Sequence, residues 1–360
     1  MLPRSMFALL GAAYCSVLLS GCGNSSGNPA SSGGAGSSGV AGTANGGDVG
    51  SAGLANGGDA GSAGVGVGGI GTGGCFTERV APSRIALDGF TGCAIDSTGL
   101  PRCWGTAVNG AVPAPNAALL QISAEAGVYG GVDGTHRPAF WGDGLPPQGP
   151  TPSGAFDQLT VNGSLACAIT SCGSIGCWPS GPKLPANAPS GSFQQVAAGS
   201  EHVCALDDGG FLKCWGDNTY GQTAAPTGVF SFVVSGQNHS CAIASDGHVA
   251  CWGAGSKLPN DSGMNNSQAI PPAGAFKYLG AGALHTCGIK NDDTVACWGL
   301  GTTAGDCQGQ GECGQAMPPA DKFQQIAGGN TNTCGIKLDG SLACWGSNTG
   351  GRSTPPADFK

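Results

Sequence analysis

The spacing of the tryptophans is the feature that most constrains the fold of this chain. An aliphatic residue stands 19 positions before each of them, and the intervals between successive tryptophans are four of 37 residues, then 46 and 47. A period near 37 residues indicates one supersecondary unit that is used seven times. The tryptophans are Trp104, Trp141, Trp178, Trp215, Trp252, Trp298 and Trp345.

The fullest copy of the unit is FQQVAAGSEHVCALDDGGFLKCWGDNTYGQTAAPTG, residues 193–228. Its short apolar runs are separated by Gly-rich turns, a pattern typical of three or four short strands. A unit of this size cannot bury both of its faces alone, so neighbouring units must cover it. An eighth copy of the apolar start position falls at Phe359, which favours a closed ring. The sequence therefore predicts an all-β, seven-bladed β-propeller over residues 75–360.

Eleven residues of the fullest unit fall on the pattern A-G-x-x-H-x-x-A-L-x-x-D-G-x-x-x-x-W-G-x-N-x-x-G-Q. They are Ala198, Gly199, His202, Ala205, Leu206, Gly210, Trp215, Gly216, Asn218, Gly221 and Gln222. This pattern resembles the repeat of the regulator of chromosome condensation family, and the resemblance implies a propeller. Nuclear members of that family act as guanine nucleotide exchange factors and bind chromatin. Both roles are disfavoured here, because a net charge of −8 with only 14 Lys and Arg residues gives nucleic acid little to bind.

The N-terminal segment predicts export and a lipid anchor. Arg4 precedes an apolar run over residues 6–19, which is too short to favour a permanent membrane span. The motif Leu19-Ser20-Gly21-Cys22 resembles a bacterial lipobox, so residues 1–21 are predicted to be a lipoprotein signal peptide and Cys22 the lipidated residue. A plain secretory signal with an incidental cysteine is the alternative.

Residues 22–74 consist mainly of Gly, Ser and Ala. Such a segment cannot bury enough apolar surface to offset the entropy of ordering it, which predicts a disordered tether. We therefore expect a monomeric, extracytoplasmic protein of the cell envelope. It would be held at the outer membrane or cell surface only through the lipid anchor.

Six units contain two cysteines ten positions apart. A turn at residues 245–247 would place Cys241 opposite Cys251 on antiparallel strands, with Cα atoms about 4.5 to 5.5 Å apart, which a disulfide can span. An exported chain meets an oxidising compartment, so we expect every pair to be oxidised. The predicted disulfides are Cys93 with Cys103, Cys167 with Cys177, Cys204 with Cys214, Cys241 with Cys251, Cys287 with Cys297, and Cys334 with Cys344.

A zinc site is the alternative explanation for these cysteines and the histidines near them. Zinc needs four converging ligands, whereas each unit offers two cysteines and at most one well-placed histidine. His202, His239 and His285 share one repeat position, and Thr, Leu or Asn takes that position in other units. We therefore expect neither metal nor cofactor, and predict that these histidines hydrogen-bond a turn within their own unit.

Four further cysteines of the predicted mature chain lie outside the six pairs and the predicted lipid site. Cys307 and Cys313 are predicted to close a small loop by a disulfide. Cys75 and Cys172 are left over. Pairing with each other is one prediction, and an unbridged or intermolecular state is the alternative.

The most informative irregularities are insertions after the Trp-Gly step of the fifth and sixth units. Their Met, Asn and Gln residues suit an adaptable binding surface, while tolerated loop length without a ligand is the alternative. The candidate binding residues are Asn260, Asp261, Met264, Asn265, Gln308, Gln310, Glu312 and Met317. In the second unit Gly130 and Phe140 replace the cysteines. Near its hairpin tip, His136 and Arg137 are a weaker candidate beside simple sequence drift.

No catalytic constellation emerges from the sequence, since it contains no H-E-x-x-H pair or phosphate-binding glycine loop. The ends of the predicted strands show no clustered carboxylates either. We therefore expect a scaffold that binds a protein or a glycan and is not an enzyme. An envelope hydrolase with a loop-borne active site is the alternative, and it would need two converging carboxylates.

Overall fold

The computed structural model describes residues 82–106, 115–142, 154–162, 165–178, 188–256, 266–303 and 313–360. The predicted signal peptide, Cys22 and the predicted tether lie outside these residues. In the described ranges, no helix is long and apolar enough to cross a membrane.

The described residues form seven antiparallel sheets of three strands, each in sequence order. Blade 1 comprises β1 (Ile85–Leu87), β2 (Thr91–Ile95) and β3 (Pro101–Gly105), and blade 2 comprises β4 (Leu119–Glu125), β5 (Val128–Asp133) and β6 (Pro138–Gly142). Blade 3 comprises β7 (Phe156–Asn162), β8 (Leu165–Thr170) and β9 (Ile175–Trp178), and blade 4 comprises β10 (Phe193–Ala198), β11 (His202–Asp207) and β12 (Leu212–Gly216). Blade 5 comprises β13 (Phe230–Ser235), β14 (His239–Ala244) and β15 (Val249–Gly253), and blade 6 comprises β16 (Phe276–Ala281), β17 (His285–Lys290) and β18 (Val295–Gly299). Blade 7 comprises β19 (Phe323–Gly328), β20 (Asn332–Lys337) and β21 (Leu342–Gly346). The prediction of an all-β, seven-bladed propeller is confirmed, with three strands in each blade.

Each apolar core lies between two neighbouring blades. Leu165 and Ile169 on β8 of blade 3, for example, share a cluster with Phe193 and Val196 on β10 of blade 4. The second strand of a blade is buried along almost its whole length because both of its faces are covered. A single blade therefore depends on its neighbours for its core, as the size of the unit predicts.

Blade 7 packs against blade 1. Phe359 joins Ile85 and Ile336 in one buried cluster between these blades, in a position like that of Phe193 between blades 3 and 4. The side-chain oxygen of Gln325 on β19 accepts a hydrogen bond from the backbone N–H of Arg84 at 2.8 Å. The seventh blade thus contacts the first, and the blades form a ring.

The two ends of the ring carry different connections. At the turn rim, each first strand leads into the second, as at residues 236–238, and each third strand ends. At the tip rim, hairpin tips such as residues 245–247 join second and third strands, and the first strands begin. The tip of one blade is bonded to the next, because the Phe276 N–H donates to the Gly247 carbonyl at 2.8 Å.

Candidate binding site

The six cysteine pairs are disulfides that join the second and third strands of their blades. Their Cα atoms lie 4.0 to 4.1 Å apart, which is closer than the sequence-based expectation of about 4.5 to 5.5 Å. The reason is the ladder register: Ala244 and His248 form a hydrogen-bonded pair, so Cys241 and Cys251 fall on a non-hydrogen-bonded pair, where the strands lie closer. The Cα–Cα distance is shorter than expected in the other five bonds as well. These bonds join Cys93 to Cys103, Cys167 to Cys177, Cys204 to Cys214, Cys287 to Cys297, and Cys334 to Cys344.

The two ends of each disulfide differ in burial. The second-strand cysteine is completely buried in a core between two blades, as Cys204 is. The third-strand cysteine is only half-buried, because the third strand lies at the outer edge of its sheet. The half-buried members are Cys103, Cys177, Cys214, Cys251, Cys297 and Cys344. Each bond thus ties an edge strand to a strand that the neighbouring blades already hold.

The remaining cysteines are only partly described. Cys313 is disulfide-bonded, but its predicted partner Cys307 lies outside the described residues. Cys172 is exposed in the turn after β8, and Cys75 also lies outside the described residues. The pairing of Cys75 with Cys172 therefore stays a prediction.

The three histidines bind the next blade, so the prediction of a bond within their own unit is wrong. Nε2 of His202 lies 2.8 Å from Oγ of Ser240, and His239 and His285 make equivalent 2.8 Å contacts to Thr286 and Thr333. Each histidine begins a second strand and lies on the face of that strand that packs against the next blade, as Cys204 and Leu206 do after His202. Burial lowers the pKa of His202, His239 and His285 to about 4, about 3 and about 4 respectively, and the two flanking histidines lower that of His239 further. Where the chain is described, no three His, Cys, Asp or Glu side chains converge as a metal site would need.

The tryptophans of four blades are held by the connection that leaves the preceding blade. The indole N–H of Trp252 donates to the Gln222 carbonyl at 2.8 Å, and Trp298 and Trp345 donate in the same way to Gln268 and Gln315. The Trp104 indole donates to Arg352, which closes the ring between blades 7 and 1. These glutamines and Arg352 are thus the anchor points at which each connection is fixed.

Most of the candidate binding residues lie in the insertions, outside the described residues: Asn260, Asp261, Met264, Asn265, Gln308, Gln310 and Glu312. Both insertions nevertheless start from described residues at the turn rim. Ala254 follows β15 and donates to the Asn238 carbonyl at 2.9 Å, and Leu300 follows β18 and donates to the Leu284 carbonyl at 2.8 Å. Met317 follows the second insertion, and 45% of it is exposed.

His136 near the hairpin tip of blade 2 is engaged by blade 3. Its Nδ1 lies 3.1 Å from the Phe156 carbonyl and 3.2 Å from the Asp157 carboxylate. Its neighbour Arg137 donates its backbone N–H to Asp133 at 3.0 Å. These bonds explain His136 as part of the blade junction and Arg137 as part of its own hairpin, without a ligand.

The first strands enclose a central cavity that sequence reasoning missed. Its volume is ≈ 320 Å³, and residues of all seven first strands line it. Among the described residues that line it, Asp88 and Glu125 are the only charged ones. They lie at the turn rim, where β1 and β4 end, so two strand-end carboxylates do come together. The expectation of no such pair is wrong on this point.

The repeat itself contains the signal for these two carboxylates. The residue three positions after the central aliphatic residue of the first strand is Gly in blades 4 to 7, as in the A-G-x-x-H pattern. In blades 1 to 3 it is Asp88, Glu125 and Asn162. The Oδ1 atom of Asp88 accepts hydrogen bonds from the backbone N–H groups of Phe90 and Thr91 at 2.7 and 2.6 Å. Asp88 thereby caps the turn in which it lies.

Glu125 behaves differently from its two counterparts. Its carboxylate accepts a hydrogen bond at 3.3 Å from the hydroxyl of Ser200, which belongs to a turn two blades away. Burial raises the pKa of the Glu125 carboxyl, and the charge of nearby Asp88 raises it further, whereas the bond from Ser200 opposes this rise. Of the two carboxyl groups that line the cavity, Glu125 thus accepts fewer hydrogen bonds from the protein than Asp88 does.

Comparison with known proteins supports the fold. The repeat model of the regulator of chromosome condensation (RCC1) family matches residues 193–222 and 230–257, in blades 4 and 5, which confirms the resemblance drawn from the sequence. No curated protein matches the chain.

Three solved structures share the propeller. The ectodomain of the Physcomitrella patens receptor kinase CR4 is 24% identical, with 74% of this chain and 73% of that chain covered and a TM-score of 0.60. The CRINKLY WD40 ectodomain of the Arabidopsis thaliana receptor kinase ACR4 is also 24% identical, with 77% and 98% covered and a TM-score of 0.60. Human WBSCR16 is 14% identical, with 71% and 86% covered and a TM-score of 0.53. At these identities the similarity shows the fold alone.

Proposed function

We propose that this propeller with RCC1-type repeats is an extracytoplasmic scaffold that is tethered to a membrane and binds a protein or glycan partner at its turn rim. The six disulfides support an oxidising compartment, because disulfides are rare where thiols are kept reduced. The apolar N-terminal run and Cys22 support a lipid anchor. The partner binds a rigid ring, since every described blade is covered by both neighbours.

The observation that carries the binding site is the way the two insertions are anchored. Five residues separate Gly216 from Gln222 in blade 4, whereas fourteen separate Gly253 from Gln268 and fifteen separate Gly299 from Gln315. All three glutamines make the same bond to the tryptophan of the next blade. The ring is therefore built equally well with the short connection, and the additional residues are available for a partner.

This site is tested by giving all three connections the short form. Residues 254–267 and 300–314 are each replaced by a copy of residues 217–221, which leaves every glutamine anchor in place. We expect a normally folded ring that no longer captures its partner from envelope extracts by cross-linking and pull-down. The matched control is Phe211→Ser, which alters an exposed apolar residue at the tip rim. Retention of every partner by the shortened variant would contradict the proposed site.

The hydrolase alternative gains little from the carboxylates at the cavity mouth. A glycoside hydrolase needs two carboxyl groups that both face the substrate. Asp88 uses one of its oxygens for two backbone N–H groups of its own turn. The pair therefore contains one capping carboxylate and one that is available, an arrangement that favours binding over catalysis.

A further inference from the structure

A glutamine on the first strand joins neighbouring blades in three places. The side-chain amide of Gln195 binds both backbone groups of Val233 at 2.9 Å. Gln158 does the same with Val196, and Gln325 binds Arg84 and Pro82. Each of these amides thus both donates and accepts across a blade junction.

Gln121 occupies the same position in blade 2 and departs from this pattern. Only 2% of it is exposed, yet its amide nitrogen has no hydrogen-bond partner among the described residues. It lines the central cavity. A buried donor without an acceptor costs on the order of 1 to 3 kcal/mol, so an oxygen atom supplied by a ligand would be favourable here.

Gln121 and Glu125 lie on the same strand and line the same cavity. Four residues of a strand span about 13 Å, and residues separated by an even number share a face. Their side chains thus start about 13 Å apart on the same face of β4. Phe232 and Tyr278 also line this cavity, and their rings, with centroids 4.9 Å apart, pack in the core between blades 5 and 6.

We infer that the central cavity binds a small ligand that carries an ammonium group and an acceptor oxygen, as amino sugars do. The ammonium group pairs with Glu125, and the oxygen accepts a hydrogen bond from the amide nitrogen of Gln121. The cavity favours a cation because no Lys, Arg or His is among the described residues that line it. Its volume of ≈ 320 Å³ falls within the usual range for small-ligand pockets.

Blade 2 also carries the other departures that accompany such a site. Ala126 and Gly127, directly after Glu125, have φ values of 51° and 79° and form a two-residue hairpin turn in which alanine is uncommon. Glu125 has one methylene more than Asp88 and reaches Ser200 across the cavity mouth instead of capping its own turn. An ammonium group could also come from a lysine side chain of a protein, so the test must separate a free amine from a lysine.

The test measures binding of glucosamine, of neutral N-acetylglucosamine and of a short lysine peptide to the intact protein by titration calorimetry. We expect saturable binding of glucosamine or of the peptide, and at least tenfold weaker binding of N-acetylglucosamine. Glu125→Gln and Gln121→Leu should each weaken the binding at least tenfold. Glu201→Gln, an exposed carboxylate on the same rim that does not line the cavity, should leave it unchanged.

A second substitution keeps the test decisive if Glu125→Gln does not fold. Glu125→Asp should fold, because Asp88 caps the equivalent turn, and it should lose the ligand because its carboxylate is withdrawn from the cavity. Binding of the peptide alone would assign the ammonium group to a protein partner and would support the same cavity chemistry. The inference is overturned if neither cationic probe binds the native protein, or if Glu125→Gln or Glu125→Asp folds and binds as tightly as the native protein.

Discussion

The glycine of each A-G-x-x-H segment is required by the ring of the histidine three positions later. A Cβ on Gly236 would lie 2.3 Å from Cε1 of His239 and 2.3 Å from the Gly282 carbonyl of the next blade. Neither atom can move without disturbing a blade junction. The sequence shows this pairing of glycine and histidine, but only the packing of the blades explains it.

Gly236→Ala should therefore lower the free energy of unfolding by about 2 to 4 kcal/mol, as overpacking and a lost interblade contact would. Gly134→Ala is the matched control, because nothing lies within 4 Å of a Cβ added there. Urea unfolding at neutral pH measures both variants. Equal urea midpoints for the two variants would show that the close approach at Gly236 does not affect the stability of the protein.

The three buried histidines predict a loss of stability in mild acid. Their pKa values in the folded protein, about 4, about 3 and about 4, lie below the unfolded value of 6.5. Above pH 6.5 both states are neutral and the histidines add no pH dependence. As the pH falls through 6.5 towards 4, only the unfolded chain takes up these protons, so each histidine lowers the free energy of unfolding by about 1.4 kcal/mol per pH unit.

His239→Asn tests this titration, because Asn332 naturally occupies the equivalent position in blade 7. Urea unfolding between pH 6 and pH 4.5 should give a slope against pH that is smaller than the native slope by about 1.4 kcal/mol per unit. An unchanged slope would mean that His239 is already protonated in the folded protein.

At the scale of the element, the hairpin of second and third strands was predictable, and so were its disulfides. The ten-residue spacing fixes which cysteines face each other once the turn is placed. The hydrogen-bond partner of His239 was not predictable, because Thr286 lies 47 residues further along the chain and a sequence does not show how a strand faces its neighbour. Blade 2 shows that a hairpin forms without the bond, with Tyr129 and Trp141 stacked at 5.6 Å.

Removing one disulfide should weaken the ring without changing its fold. Cys241→Ala together with Cys251→Ala is expected to lower the free energy of unfolding by about 2 to 3 kcal/mol, the usual contribution of a short closed loop. Chemical denaturation under non-reducing conditions measures the loss. The native protein treated with reductant serves as the control, since loss of every disulfide should exceed loss of one. An unchanged midpoint for the double variant would show that this bond does not stabilise the blade.

At the scale of the whole molecule, the number of blades followed from the tryptophan spacing, and the junction of blades 7 and 1 completes the ring. The sequence could not reveal the cavity that the ring encloses. Asp88 and Glu125 are 37 residues apart and become neighbours only when consecutive blades curve around one axis. In the sequence these two residues are marked only by the absence of the glycine that other units have at this repeat position. That absence can be interpreted only once the first strands are known to line the centre of the ring.

Phe359 gives a direct test of this closure. It is 2% exposed and packs between blades 7 and 1, so Phe359→Ala should lower the free energy of unfolding by about 3 to 5 kcal/mol. Leu338→Ala is the control, since Leu338 is an exposed residue of blade 7. A Phe359 variant as stable as the control would argue that the two blades are held together without this core.

The regular hairpins build the ring, and the turn rim carries the proposed binding site for a partner. Met317 lies beyond the second insertion and is 45% exposed, and Leu338 lies at a hairpin tip on the opposite rim and is 53% exposed. The most direct measurement places a photo-cross-linking amino acid at one of these positions at a time and irradiates the protein in its native envelope. We expect a discrete adduct with a partner from position 317 and none from position 338. An adduct from position 338 alone would contradict the proposed binding site.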